Sequence, residues 1–152
     1  MDISRDYNAA VDLVGRNLAA GRGGKTAFID DAGSCTYAEL AERVDRAANL
    51  LLSMNIQREA RIGIAMLDSR DWPALFLGAI KAGIVPVAVN TLLTTKDYEY
   101  MLRDSRARAL IVSAPLVPAF APRTTSGGAN DAWVTQLIAA AFTLSPSFVH
   151  ST

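Results

Sequence analysis

The sequence predicts an α/β fold: an open, mainly parallel three-stranded βαβαβ half-sheet with flanking helices. Three observations carry that reading. Apolar runs at Ile62 to Leu67, Ile84 to Val89 and Ala109 to Val112 are continuous rather than alternating, as strands covered on both faces must be. Between the first two, Trp72, Leu75, Phe76, Ala79 and Ile80 share one face of a helix that Gly83 ends. Strand, helix and strand within about 30 residues is the size of a βαβ unit, and its right-handed crossover lays the two strands parallel in one sheet.

The elements follow in order. Asn8 to Ala20 carries Ala9, Val11, Leu13, Val14 and Leu18, a loosely amphipathic helix with Gly21 as its stop. The loop GRGGKT, Gly21 to Thr26, ends like the phosphate-binding pattern GxxxxGK[ST]. The first glycine of that pattern falls on Ala19, however, and the loop runs from helix to strand rather than from strand to helix. It is read as a connection. Asp30 to Gly33 turns the chain between short strands at Ala27 to Ile29 and Ser34 to Tyr37.

Thr36 and Glu39 form a capping box, in which each side chain satisfies a free amide at the start of a helix. Tyr37, Leu40, Ala41, Val44, Ala48, Leu51 and Leu52 then make one apolar stripe, and the helix ends near Met54 and Asn55. Within the first sheet strand, Gly63 points to close approach of another backbone. Pro86 lacks a ladder donor, so its strand lies at an edge or the proline sits where no donor is needed. Thr94 and Asp97 repeat the cap, opening a helix from Thr95 to about Arg106 that buries Tyr98, Met101 and Leu102. Ser113, Ala114 and Pro115 close the third strand.

The last thirty residues read differently. Of the chain's 15 basic and 15 acidic residues, only Arg123 and Asp131 fall after Pro122. An apolar helix from Ala132 to Phe142 is expected, and nothing after Leu144 reads as structured. RTTSGGAND, Arg123 to Asp131, is worded like an anion-binding turn but contains no lysine.

Composition excludes several classes. Equal numbers of basic and acidic residues leave no field to recruit nucleic acid or an anionic membrane. Cys35 is the only cysteine and His150 the only histidine, so neither a disulfide framework nor a Cys/His zinc site can be assembled. The amino terminus has no apolar signal-peptide core, and Lys81 splits the longest apolar stretch below spanning length. A soluble, cytoplasmic protein is expected.

The wording of four segments is familiar: GRGGKTAFIDDAG, TYAELAERVDRAANLL, RIGIAMLDSRDWPALFLGAIKAGIVPVAVNTLLT and DYEYMLRDSRARALIVS. They resemble the start of benzoate–CoA ligases, members of the AMP-forming acyl-CoA synthetase (adenylate-forming) superfamily, over about residues 6 to 117. The resemblance implies that the fold is the opening of the large domain of such enzymes. It implies a two-step reaction, in which ATP and an aromatic carboxylate give an acyl-adenylate and pyrophosphate, and CoA then displaces AMP. It also implies ATP, magnesium and CoA as the parent family's cofactors. None is expected to be bound by these residues, because RTTSGGAND lacks the Thr-Gly-x-Pro-Lys ending of the family's phosphate loop. Where some relatives carry an arginine that contacts CoA phosphate, two residues past Asn90, this chain has Leu92.

No catalytic, cofactor-binding or metal residue is therefore assigned. Asp68, Asp71, Asp97, Glu99 and Asp104 are the acids to consider, and capping or solvation accounts for four of the five. The expected division is residues 1–122 as the amino-terminal portion of a ligase large domain, predicted inactive alone. Residues 123–152 are then an unrelated tail, such as a change of reading frame produces. Two other readings stay open, a stand-alone nucleotide- or acyl-binding module and an interaction partner of a full-length ligase. Unpaired strand edges add an expectation of self-association.

Overall fold

A computed structural model describes residues 3–124 and 136–140. They fall into two compact units, residues 3–55 with 68–83, and residues 56–67 with 84–124 and 136–140.

The first unit is built from helices and a hairpin. Asn8 caps α1 (Ala9–Ala19), its side chain accepting from the amides of Ala10 and Val11. The amide nitrogen of the same side chain donates to the Ile80 carbonyl at 3.0 Å. Strands β1 (Thr26–Asp30) and β2 (Gly33–Thr36) pair antiparallel, with Asp30 opposite Gly33 across the turn. Gly33 has φ +120°, a value that side-chain-bearing residues rarely adopt. The capping box forms as predicted, and α2 (Tyr37–Ser53) follows it.

Helix α3 (Asp71–Lys81) completes the unit. It approaches α2 tightly at Gly78, where an added Cβ would lie 2.6 Å from the Ala47 Cβ and 3.0 Å from both the Ala48 amide nitrogen and the Val44 carbonyl oxygen. The buried faces are Leu40, Val44, Ala47, Ala48 and Leu51 on α2, and Ala74, Leu75, Gly78 and Ala79 on α3. Both differ from the predicted stripes in the same way. The small residues Ala47, Ala74 and Gly78 take the seam, while Leu52 is exposed and Trp72 and Phe76 stack half-buried at its margin. Two helices this close have room only for short side chains, which a hydrophobicity count undervalues.

The second unit is the sheet. Strands β3 (Arg61–Ala65), β4 (Val85–Ala88) and β5 (Ala109–Ser113) are parallel, as predicted. The order β4-β3-β5 places the first strand between the other two. Ile62, Ile64, Ala65, Leu110, Ile111 and Val112 are wholly buried, so residues pointing to both sheet faces are covered. Pro86 is accommodated in both of the ways anticipated. Its strand is an edge, and the amides of Val85 and Val89 donate inward to Ala60 and Ile64 at 2.9 Å. The two-residue period turns position 86 outward, where a missing donor breaks no ladder bond. At Gly63 the close neighbours are side chains rather than backbone, with Leu110 Cδ1 at 2.9 Å and Leu102 Cδ2 at 3.3 Å from an added Cβ.

Helix α4 (Thr95–Ser105) opens on the Thr94 and Asp97 capping box. Its Tyr98 packs against Phe120 at a centroid distance of 4.2 Å, within a cluster that includes Ala65, Val89, Leu110 and Val112. Phe120 belongs to α5 (Val117–Thr124), which follows a single 3-10 turn at Ala114–Leu116. The sequence reading closes the third strand at Pro115 and places no helix between it and Ala132, so it misses both. Pro115 and Pro118 each lie in the first turn of their helical segment, where a missing amide costs nothing.

A fourth strand, β6 (Gln136–Ala140), pairs parallel with β5 from Ala109↔Gln136 to Ser113↔Ala140. This corrects the predicted helix over 132–142 and extends the expected three strands to four. An apolar run with no polar face fits a buried strand as well as a helix, and the open edge of β5 offers its backbone groups a ladder. The expected division after residue 122 falls within α5 (Val117–Thr124), and the remaining expectations for 125–152, with RTTSGGAND beyond Thr124, lie outside the described residues. No helix among the described residues is long and apolar enough to cross a membrane.

Candidate functional site

The first unit contains a half-open cleft of about 610 Å³ between the hairpin and the start of α3. Phe28, Ile29, Trp72 and Pro73 supply apolar wall, and Asp30, Asp31, Asp68 and Arg70 supply charge. Arg70 precedes α3, and its guanidinium forks onto the Asp30 carboxylate, with Nη2 at 2.7 Å and Nε at 3.0–3.1 Å. Its Nη1 donates to the Ser34 carbonyl at 3.2 Å, and its own backbone amide donates to Asp30 Oδ2 at 2.9 Å. The Ala32 amide adds another bond to Asp30 at 3.0 Å. These donors, the Arg70 side chain first, hold the Asp30 carboxyl down at about 2.

A second pair lies nearby in the same unit. Arg43 Nη1 of α2 donates to Asp71 Oδ1 at 2.7 Å. Burial pushes the Asp71 carboxyl up from its ordinary value, and Arg43 opposes that shift. Cys35 is also buried, and desolvation raises its thiol pKa, which leaves it protonated and unreactive at neutral pH. A general acid or base needs a proton to exchange and a free face toward substrate. Asp30 and Asp71 are each committed to an arginine, so this arrangement acts as a clamp rather than as acid–base machinery.

The GRGGKT loop is committed in part. The carbonyls of Gly23 and Lys25 accept from Ala38 and Tyr37 at the start of α2, each at 3.0 Å. The amides of Gly21, Arg22 and Lys25 donate to Leu18, Asn17 and Arg22. A phosphate cradle needs amides pointing outward and unbonded, and these three are spent on the turn itself.

In the second unit, consecutive connections leave β3 and β5 in opposite directions, toward β4 and β6. Ligands of open parallel sheets settle outside the carboxyl ends of such strands. Here the crevice is bridged by the Leu67 amide donating to Ser113 Oγ at 3.0 Å. The bridge supplies one hydroxyl and no ionisable group.

The five acids considered from sequence are not brought together as a site. Asp97 caps α4, Asp68 and Asp104 are exposed, and Glu99 is half-buried on α4. Asp71 is not the surface cap that its position implied, because its carboxylate turns inward to Arg43. Leu92 is 90% exposed, and its amide closes a turn on the Asn90 side chain at 2.9 Å. Among the described residues no three His, Cys, Asp or Glu side chains converge. Those residues do not fit a magnesium or triphosphate site. Sequence reasoning missed the Arg70–Asp30 pair. Locally Asp30 is a turn former and Arg70 carries no signal, and nothing local joins residues 40 positions apart.

Comparison with known proteins adds what the geometry alone does not carry. The pattern of the AMP-binding enzyme family matches residues 16–144. A benzoate–CoA ligase of Thauera aromatica is 59% identical over 121 residues, which are 79% of this chain and 23% of that protein. Among solved structures, a benzoate CoA ligase from Burkholderia xenovorans LB400 superposes with a TM-score of 0.75 at 48% identity, over 80% of this chain and 24% of that one. An anthranilate CoA ligase solved in complex with anthranoyl-AMP gives a TM-score of 0.81 at 32% identity, over 91% of this chain and 26% of that one. The chain spans about a quarter of the length of these relatives.

Proposed function

Because the chain belongs to the AMP-binding enzyme family, we propose that it is the amino-terminal portion of an aromatic acyl-CoA ligase and supplies scaffold rather than reaction centre. The carrying observation is 59% identity to a benzoate–CoA ligase over 79% of this chain but only 23% of that protein. The whole enzyme, on this reading, joins ATP and benzoate into benzoyl-adenylate with release of pyrophosphate. CoA thiol then displaces AMP to give benzoyl-CoA.

These residues catalyse neither step alone. Adenylation needs cations that hold the triphosphate and stabilise the charge developing at the α-phosphate. The chain has three lysines, Lys25, Lys81 and Lys96, and none stands in a Thr-Gly-x-Pro-Lys loop. Lys81 is paired with Asp45. The test is pyrophosphate release by the purified chain with ATP, magnesium, benzoate and CoA. Background release is expected, and turnover above it refutes the assignment.

A further inference from the structure

We propose that the β1–β2 hairpin is a hinged strap, latched by Arg70, that opens as a unit and uncovers Cys35 while the helices of its unit stay folded. The hairpin is anchored apolarly at one point. Thr26, Phe28, Ile29, Gly33 and Ser34 are exposed, Ala27 and Asp30 are half-buried, and only Cys35, at 1% exposure, is fully covered. Burial of a single small side chain holds a two-stranded ribbon weakly.

Apart from a contact of the Cys35 thiol with the Arg43 side chain, polar ties divide into two groups. At the base, the Tyr37 amide donates to the Lys25 carbonyl at 3.0 Å, and Thr36 and Glu39 form the reciprocal cap. Those bonds lie where both strands join the rest of the unit, so they form a hinge. At the tip stands Arg70. It grips the end of β1 through Asp30 and the start of β2 through the Ser34 carbonyl, so one side chain spans both strands. Arg70 and Asp30 are 15% and 14% exposed, and charge-assisted bonds sheltered to that degree are the strong ones. Because β1 and β2 keep their own ladder, releasing the tip frees the hairpin as one piece. Local units with few buried contacts open below the free energy of global unfolding.

Cys35, as the only cysteine, reports the opening directly. The experiment is the rate of thiol labelling by an aromatic disulfide reagent at increasing urea, for the full chain and for Arg70→Ala, Arg70→Lys and Lys81→Ala. Far-UV circular dichroism of the same samples gives the slope of global unfolding. The strap predicts labelling whose urea dependence is less than half the global slope. It also predicts acceleration of roughly 10- to 100-fold in Arg70→Ala. Arg70→Lys falls between, since an ammonium cannot reproduce the fork. Lys81→Ala, which breaks an exposed pair in the same unit, labels like the unaltered chain. Labelling with the full global slope overturns the proposal, as does an unchanged rate in Arg70→Ala or equal acceleration by Lys81→Ala. Loss of cooperative unfolding in Arg70→Ala overturns it too, because the hairpin is then not separable from the unit.

Discussion

Replacing Gly78 with alanine sets two opposing effects against each other, and the structure decides between them. Alanine favours a helix interior over glycine by about 1 kcal/mol. At this position, however, the new methyl would lie 2.6 Å from the Ala47 Cβ and 3.0 Å from two backbone atoms of α2. Carbon atoms settle at about 3.5–4.0 Å, so α2 and α3 must separate by about 1 Å. None of the three neighbours is the far end of a flexible side chain that could swing aside. Overpacking of this kind costs about 1–3 kcal/mol. It sits at the upper end here, because separation loosens Val44, Leu51 and Leu75 together. The net expectation is a loss of about 1–2 kcal/mol, or roughly 5 °C in Tm. Urea unfolding followed by circular dichroism measures it as a lower midpoint at unchanged slope. Gly15→Ala in α1 is the matched control, since nothing lies within 4 Å of its added Cβ; it gains about 0.5–1 kcal/mol. A Gly78→Ala chain as stable as its parent refutes the argument that the seam is closed by backbone contact.

Three further outcomes follow from other parts of the molecule. Asp30 is held near 2 against an ordinary 3.8, so its charged form stabilises the fold above about pH 4. That stabilisation is lost as pH falls through about 2, and the stability gap between the unaltered chain and Asp30→Asn, measured by urea midpoints, should narrow over that window and stay flat at higher pH. Pro86→Ala restores an outward donor at the edge of β4, and light scattering should show more association than for the parent, whereas equal association would remove that edge from consideration. Thr36→Ala breaks the capping box and should cost about 1 kcal/mol in urea unfolding; Thr94→Ala serves as the second instance of the same motif.

What the sequence by itself determined were the features whose causes lie within a few residues of one another. The capping pairs Thr36 with Glu39 and Thr94 with Asp97 stand three apart, and both boxes form where the motif places them. Continuous apolar runs marked β3 and β5, because a strand covered on both faces has no polar period to hide; the run at β4 also forms a strand, but Val85 and Ala88 there are exposed, so that edge strand is not covered as expected. The wording of those runs and of the helices between them was enough to indicate the family.

Tertiary structure decided what depends on distant partners. Nothing near Asp30 selects Arg70 from the chain's 15 basic residues, so the latch becomes visible only once the hairpin and the start of α3 are brought together. The seam between α2 and α3 passes through Ala47 and Gly78 rather than through the largest side chains, because helix separation is set by what fits and not by hydrophobicity. Position 136–140 is strand because β5 has an open edge beside it, a fact about the sheet and not about QLIAA. Local chemistry writes caps, turns and runs into the sequence; strand order, ion-pair partners and helix faces are choices among many equivalent candidates, and only packing makes them.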